Sequence, residues 1–150
     1  MKRILSICLL ILLLCGCSRM SQKYPFKNQG EAIESIELLY YPWYEDESKP
    51  FMEFETIRTL SNAEIPGFMN ELYALETKKA TPTPPGNYGA YIARVNYKNG
   101  DSEYFGTMHI EFVANGEKPF AVGYYYFPGN QFDELFFKYV DKAGTDGSTH

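Results

Sequence analysis

The stretch from Tyr91 to Phe127, YIARVNYKNGDSEYFGTMHIEFVANGEKPFAVGYYYF, decides the fold. Three runs rich in aromatic and β-branched residues, Tyr91 to Tyr97, Tyr104 to Val113 and Phe120 to Phe127, are separated by Asn99-Gly100 and Asn115-Gly116. Asn-Gly suits a two-residue hairpin turn because both positions accept positive φ, so the stretch predicts a three-stranded antiparallel meander. Such turns fix the register, setting Val95 opposite Tyr104, Ala93 opposite Gly106 and Ile110 opposite Ala121. One face then holds Tyr91, Ala93, Val95, Tyr104, Met108, Ile110 and Phe112 as core. The other carries polar Asn96, Glu103, His109 and Glu111, together with Ile92, Arg94, Phe105, Tyr124 and Tyr126.

Upstream, Ile36, Leu38 and Tyr40 alternate with Ser35, Glu37 and Leu39, which predicts a strand over Ile33 to Tyr41 ended by Pro42. A second strand is expected over Phe51 to Leu60, with a bulge near Glu55 or Thr56 because its alternation changes parity there. Ser61-Asn62-Ala63-Glu64 has capping-box spacing ahead of Ile65, Phe68, Met69, Leu72 and Leu75 at helical intervals. Pro66 and Gly67 either distort the first turn or move the helix start to Pro66. Thr77 to Gly89, with Pro82, Pro84 and Pro85, reads as an extended loop. After the meander, Asn130 can cap a helix whose Phe132, Leu135, Phe136 and Tyr139 share one face. The expected architecture is α+β: an antiparallel sheet of about five strands with two helices on one face, in the order ββαβββα.

The amino terminus carries an address. Lys2-Arg3 precedes the eleven apolar-rich residues Ile4 to Leu14, and Leu14-Cys15-Gly16-Cys17 follows. Eleven helical residues cover only about 17 Å, well short of the roughly 30 Å hydrocarbon core, so the segment is too short to span. A basic start, a short apolar run and a small residue before the cut are the marks of a secretory signal. Leu14-Cys15-Gly16-Cys17 resembles the lipobox of bacterial lipoproteins, and the resemblance covers residues 1–18. It implies cleavage before Cys17, a diacylglyceryl group on its sulfur, acylation of the new amino terminus, and an extracytoplasmic protein held to a bacterial membrane by lipid. An ordinary secretory signal or an uncleaved anchor is the other reading of the same residues.

The domain plan follows: 1–16 signal peptide, 17–30 lipidated cysteine and flexible spacer, 31–142 one α+β domain, 143–150 a loose polar tail. Cys8 and Cys15 leave with the signal and Cys17 is alkylated, so the mature domain carries no thiol. That excludes disulfides, cysteine–zinc sites and cysteine nucleophiles. Losing Lys2 and Arg3 from 14 basic residues against 19 acidic ones moves the formal charge from -5 to -7. An acidic surface of this kind is unsuited to nucleic acid. Arg19, Lys23 and Lys27 are a local exception beside the lipid.

Candidate sites are few. Arg94, Phe105, His109, Tyr124 and Tyr126 on the outer sheet face could stack on a peptide or a sugar ring, with Arg94 supplying fixed donors; the alternative is that a loop, another strand or a partner covers them. Trp43, the only tryptophan, lies in an aromatic loop with Glu45, Asp46 and Glu47, whose spacing does not build a calcium loop. No metal set, glycine-rich phosphate loop or catalytic triad is present, and no cofactor is expected beyond the lipid. The sequence thus points to a non-enzymatic envelope module binding a protein or peptide partner, with a cell-wall glycan as the second ligand class and a small hydrolase as the third.

Overall fold

A computed structural model describes Tyr24, Phe26 and residues 30–79, 88–115, 117–118 and 125–145, with side chains through 142. The stretch expected to be a signal, Cys17 and most of the expected spacer lie outside these residues, as do Tyr124 and residues 146–150. Five antiparallel strands form the main sheet: β1 Ile33–Tyr40, β2 Glu55–Thr59, β4 Tyr91–Tyr97, β5 Ser102–Gly106 and β6 His109–Val113, in the order β2-β1-β4-β5-β6. Two short strands, β3 Lys78–Lys79 and β7 Tyr125–Tyr126, pair separately. Helices α1, Ile65–Ala74, and α2, Gln131–Thr145, complete the α+β fold. The expected five-stranded antiparallel sheet and two helices are present, but the strands are made differently and two further short strands form a second sheet.

The reversal at Asn99-Gly100 takes three residues, not two. Asn96 pairs with Ser102 and Arg94 with Tyr104, while the Gly100 N–H donates to the Tyr97 carbonyl at 2.9 Å. Gly100 alone carries the positive φ, 90°, the geometry of a type I turn closed by a glycine bulge. One added residue inverts every side chain that follows. Phe105 and Glu103 therefore face the helices, and Tyr104 faces the other way.

The run Tyr104 to Val113 is a hairpin and not one strand. Gly106 pairs with His109, so the chain turns back through Thr107-Met108. Gly106 is required there by a close approach: a Cβ would lie 2.4 Å from the Tyr88 carbonyl oxygen. Of the expected third meander strand, only Tyr125 and Tyr126 are strand among the described residues, and they pair with Lys79 and Lys78. Thr77 to Lys79 is accordingly not all loop. The expected tail also begins later, since helix α2 continues to Thr145.

The upstream strands follow their patterns. Leu38 pairs with Arg58 but Leu39 with Thr56, leaving Ile57 as the extra residue of a bulge. Glu64 closes half of the capping box: its Oε2 accepts from Ser61 N at 3.0 Å and Ser61 Oγ at 2.8 Å. The regular helix starts at Ile65, after a turn over residues 62–64.

Both helices lie on one sheet face. Phe68, Met69 and Leu72 of α1 and Phe132, Leu135, Phe136 and Tyr139 of α2 bury against Ile36, Leu38, Ala93, Val95, Phe105 and Ile110. Burying a large apolar side chain contributes about 2 kcal/mol, so this layer dominates the stability. The second face is closed too. Leu39, Tyr41, Tyr88, Ile92, Tyr104 and Val113 form a smaller core on which Trp43, Met52 and Phe54 pack. An antiparallel sheet can leave one face to water; here residues 41–54 cover much of it.

Candidate functional site

What the covering loop leaves open is a cleft of about 600 Å³, lined by Phe51, Met52, Glu53, Phe54, Arg94, Tyr104 and Lys118. Its floor comes from register: Arg94 on β4 is the direct neighbour of Tyr104 on β5, both pointing away from the helices. Its wall comes from residues 51–54, which precede β2. That wall is held in an unusual conformation, because Met52 has φ 59° without being glycine. Such a residue costs about 1 kcal/mol and persists only where its surroundings impose it. Tyr41 supplies that constraint, its hydroxyl accepting from Met52 N at 3.4 Å.

Arg94 is the fixed cation of the cleft. Its Nε donates to Glu37 Oε2 at 2.7 Å, and Asn96 Nδ2 donates to the same oxygen at 2.8 Å. Burial alone would lower the guanidinium's pKa, but hydrogen bonding to Tyr104 and then to Glu37 raises it above the usual value. The side chain is 29 % exposed, so its orientation is set by Glu37 while part of it still meets solvent. Lys118, exposed among the lining residues, adds a second cation, and Glu53 an acid. The apolar part is Phe51, Met52 and Phe54, with Phe51 46 % exposed.

The residues singled out from sequence are dispersed. Arg94 lines the cleft. Trp43 does not, but it packs edge-on against Phe51 with ring centroids 5.1 Å apart. Phe105 is buried on the opposite face against Tyr24 and Phe26, because the longer turn inverted β5. His109 keeps the expected side of the sheet but is fully buried, its ring 4.8 Å from that of Tyr88 and its Nε2 3.8 Å from Glu111. Tyr88 in turn hydrogen-bonds Glu111. Tyr126 belongs to the small second sheet, paired with Lys78, and Tyr124 lies outside the described residues.

A second polar group emerges on the helix face. Glu103, expected to be solvated, is fully buried, and it accepts from Tyr24 Oη and Tyr97 Oη at 2.6 Å each. Burial and then the charge of Glu103 push both phenols far above their ordinary range. No sequence signal marked Tyr24, which stands in the stretch read as spacer. Among the described residues no group of three or more His, Cys, Asp or Glu side chains is placed to hold a metal, and no helix is long and apolar enough to cross a membrane. Compared with known protein families, with curated proteins and with solved structures, the chain matches none.

Proposed function

We propose that this chain is a lipid-anchored bacterial envelope protein that binds a segment of a protein partner in the Arg94–Tyr104 cleft. The observation that carries the binding reading is the pairing, within one opening, of exposed Phe51 with a guanidinium held rigid by Glu37. A volume of about 600 Å³ lies within the roughly 300–1,000 Å³ of small-ligand sites and accommodates two or three side chains. Phe51, Met52 and Phe54 suit an apolar side chain, while Arg94 and Lys118 suit a neighbouring carboxylate. The preferred ligand is therefore a peptide segment that joins an apolar residue to an acidic one. The address rests on Lys2-Arg3, the short apolar run and Cys17.

A cell-wall glycan is the second reading, favoured by one observation. The Phe51 ring, braced edge-on by Trp43, offers a face on which a sugar could stack. Titration separates the two, with Trp43 emission as the signal because the chain has one tryptophan. Peptides pairing an apolar residue with an acid should shift that emission, and Arg94→Gln should weaken the effect. A response to glycan fragments alone would establish the second reading in place of the first. For the address, Cys17→Ser should abolish lipid labelling, and continued labelling of that variant would remove the assignment.

A further inference from the structure

Met52 links the cleft to the buried phenol that holds its wall. Its side chain is partly exposed and lines the cleft. Its sulfur accepts from Tyr41 Oη at 3.8 Å, and its backbone N–H donates to the same oxygen at 3.4 Å. Tyr41 is fully buried, its ring stacked on Trp43 with centroids 5.9 Å apart and meeting Phe54 at 5.1 Å and Tyr88 at 6.5 Å. Trp43 braces Phe51 in turn. The apolar wall of Phe51, Met52 and Phe54 therefore rests on one side chain, Phe51 through Trp43 and the other two directly.

The thioether is also the reactive group of this wall. From residue 18 onward the chain has no cysteine, which leaves methionine sulfur as the side-chain atom most readily oxidised. Among the described residues Met69 is buried in the helix-side core, while Met108, 38 % exposed, stands in the turn between β5 and β6 outside the cleft lining. Of these three, Met52 combines access from solvent with a place in the cleft.

A peroxide is the oxidant class that fits. The sulfur lone pair attacks one peroxide oxygen, the O–O bond breaks, and the departing hydroxide takes the proton of the transferred oxygen and leaves as water. Sulfur gives up two electrons and the peroxide takes them. The product is a sulfoxide, a strong acceptor where the thioether was a weak one.

Both places that the new oxygen can take act against the apolar wall. Directed into the cleft, it sets a polar group between Phe51 and Phe54, where an apolar side chain of the ligand would cover it without pairing it. Directed at Tyr41, it fills the space of the present contact, and the phenol, packed against Trp43, Phe54 and Tyr88, has no room to retreat. Met52 must then move, and from a φ of 59° it has less strained backbone regions to move to. We infer that Met52 is a reversible oxidation switch, its sulfoxide lowering the affinity of the Arg94–Tyr104 cleft and its reduction restoring it. This rests on the reading of the cleft as a binding site proposed above.

Titration of the tetrapeptide acetyl-Ala-Leu-Asp-Ala-amide tests the switch, followed by Trp43 emission before and after mild hydrogen peroxide, with peptide mapping to locate the added oxygen. Oxidation at Met52 should weaken binding about ten-fold, the scale of covering one unpaired polar group. Treatment with the two methionine sulfoxide reductases, one for each sulfoxide epimer, should restore it. Met52→Leu should bind the peptide and lose nothing to peroxide, although Met108 is still oxidised. Met52→Gln, which places a polar group there permanently, should bind weakly without peroxide. A protein that carries the oxygen on Met52 yet binds like the untreated one would overturn the switch and leave the binding site standing. So would oxidation at Met108 that spares Met52, or an equal loss of affinity in Met52→Leu. An untreated protein whose Trp43 emission ignores the peptide at millimolar concentration would overturn the binding reading, and the switch with it.

Discussion

Tyr24 and Glu103, 79 positions apart, meet as phenol and carboxylate at 2.6 Å inside the helix-side core. A buried carboxylate is tolerated only where donors replace the water it has lost, and Tyr97 supplies a second one. The prediction is that Tyr24→Phe, which keeps the ring contacts and removes only the donor, lowers stability by about 2 kcal/mol. Urea unfolding measures it. A change within about 0.5 kcal/mol, the size expected of an ordinary surface substitution, would mean that the hydroxyl does not support the ion.

The same pair dictates the alkaline limit. Burial, followed by the charge of Glu103, holds the phenols of Tyr24 and Tyr97 far above the ordinary value of 10.0. The folded state then binds more protons than the unfolded one above that value, so the sign is negative. Stability is intact below about pH 10 and falls above it, by up to about 1.4 kcal/mol per pH unit for each phenol. Tyr97→Phe should flatten that slope by one phenol's share in denaturation measured between neutral and strongly alkaline pH.

Glu64 sets a limit on the acid side. Its carboxylate accepts from the Ser61 backbone and hydroxyl and pairs with Arg58 at 2.8 Å, and the Ser61 backbone bond first, then the hydroxyl, hold its pKa below 4.5. A depressed carboxylate stabilises above its unfolded pKa, and that stability is lost as pH falls through the folded value. Glu64→Gln should cost about 1 kcal/mol at neutral pH. The difference from the parent should vanish in strong acid, as thermal unfolding across pH would reveal.

Gly106→Ala should be among the most damaging small substitutions. The new methyl would meet the Tyr88 carbonyl oxygen at 2.4 Å, and backbone cannot swing aside as a side chain can. Overpacking of this kind costs about 1–3 kcal/mol. Since Tyr88 covers His109, near-ultraviolet circular dichroism of the tyrosines should change along with the unfolding midpoint.

Helical periodicity was legible because it needs only local spacing: Phe132, Leu135, Phe136 and Tyr139 bury as their intervals require. Register was not. Asn99-Gly100 signals a turn but leaves open whether two or three residues make it, and the third residue carried Glu103 and Phe105 to the other face. The turn at Thr107-Met108 has no asparagine-glycine signature, and apolar residues continue on both sides of it, so one long strand and a hairpin look alike. Arg94 was found because β4 keeps the parity assigned to it. Phe51 and Lys118 were missed because the cleft joins segments far apart in the chain, and Tyr24 because its partner is 79 residues away.

The most direct test of the cleft as a partner-binding site is photocrosslinking in intact cells from a benzoylphenylalanine placed at Phe51, with Ile57 as the comparison. Both positions are exposed, at 46 % and 45 %, but Ile57 lies on the bulged edge strand outside the cleft. The account predicts one discrete envelope protein captured from position 51 and not from 57. The crosslink should map to an apolar residue beside an acidic one, and Arg94→Gln should weaken it. Equal capture from both positions, or capture from 51 that ignores Arg94→Gln, would contradict it.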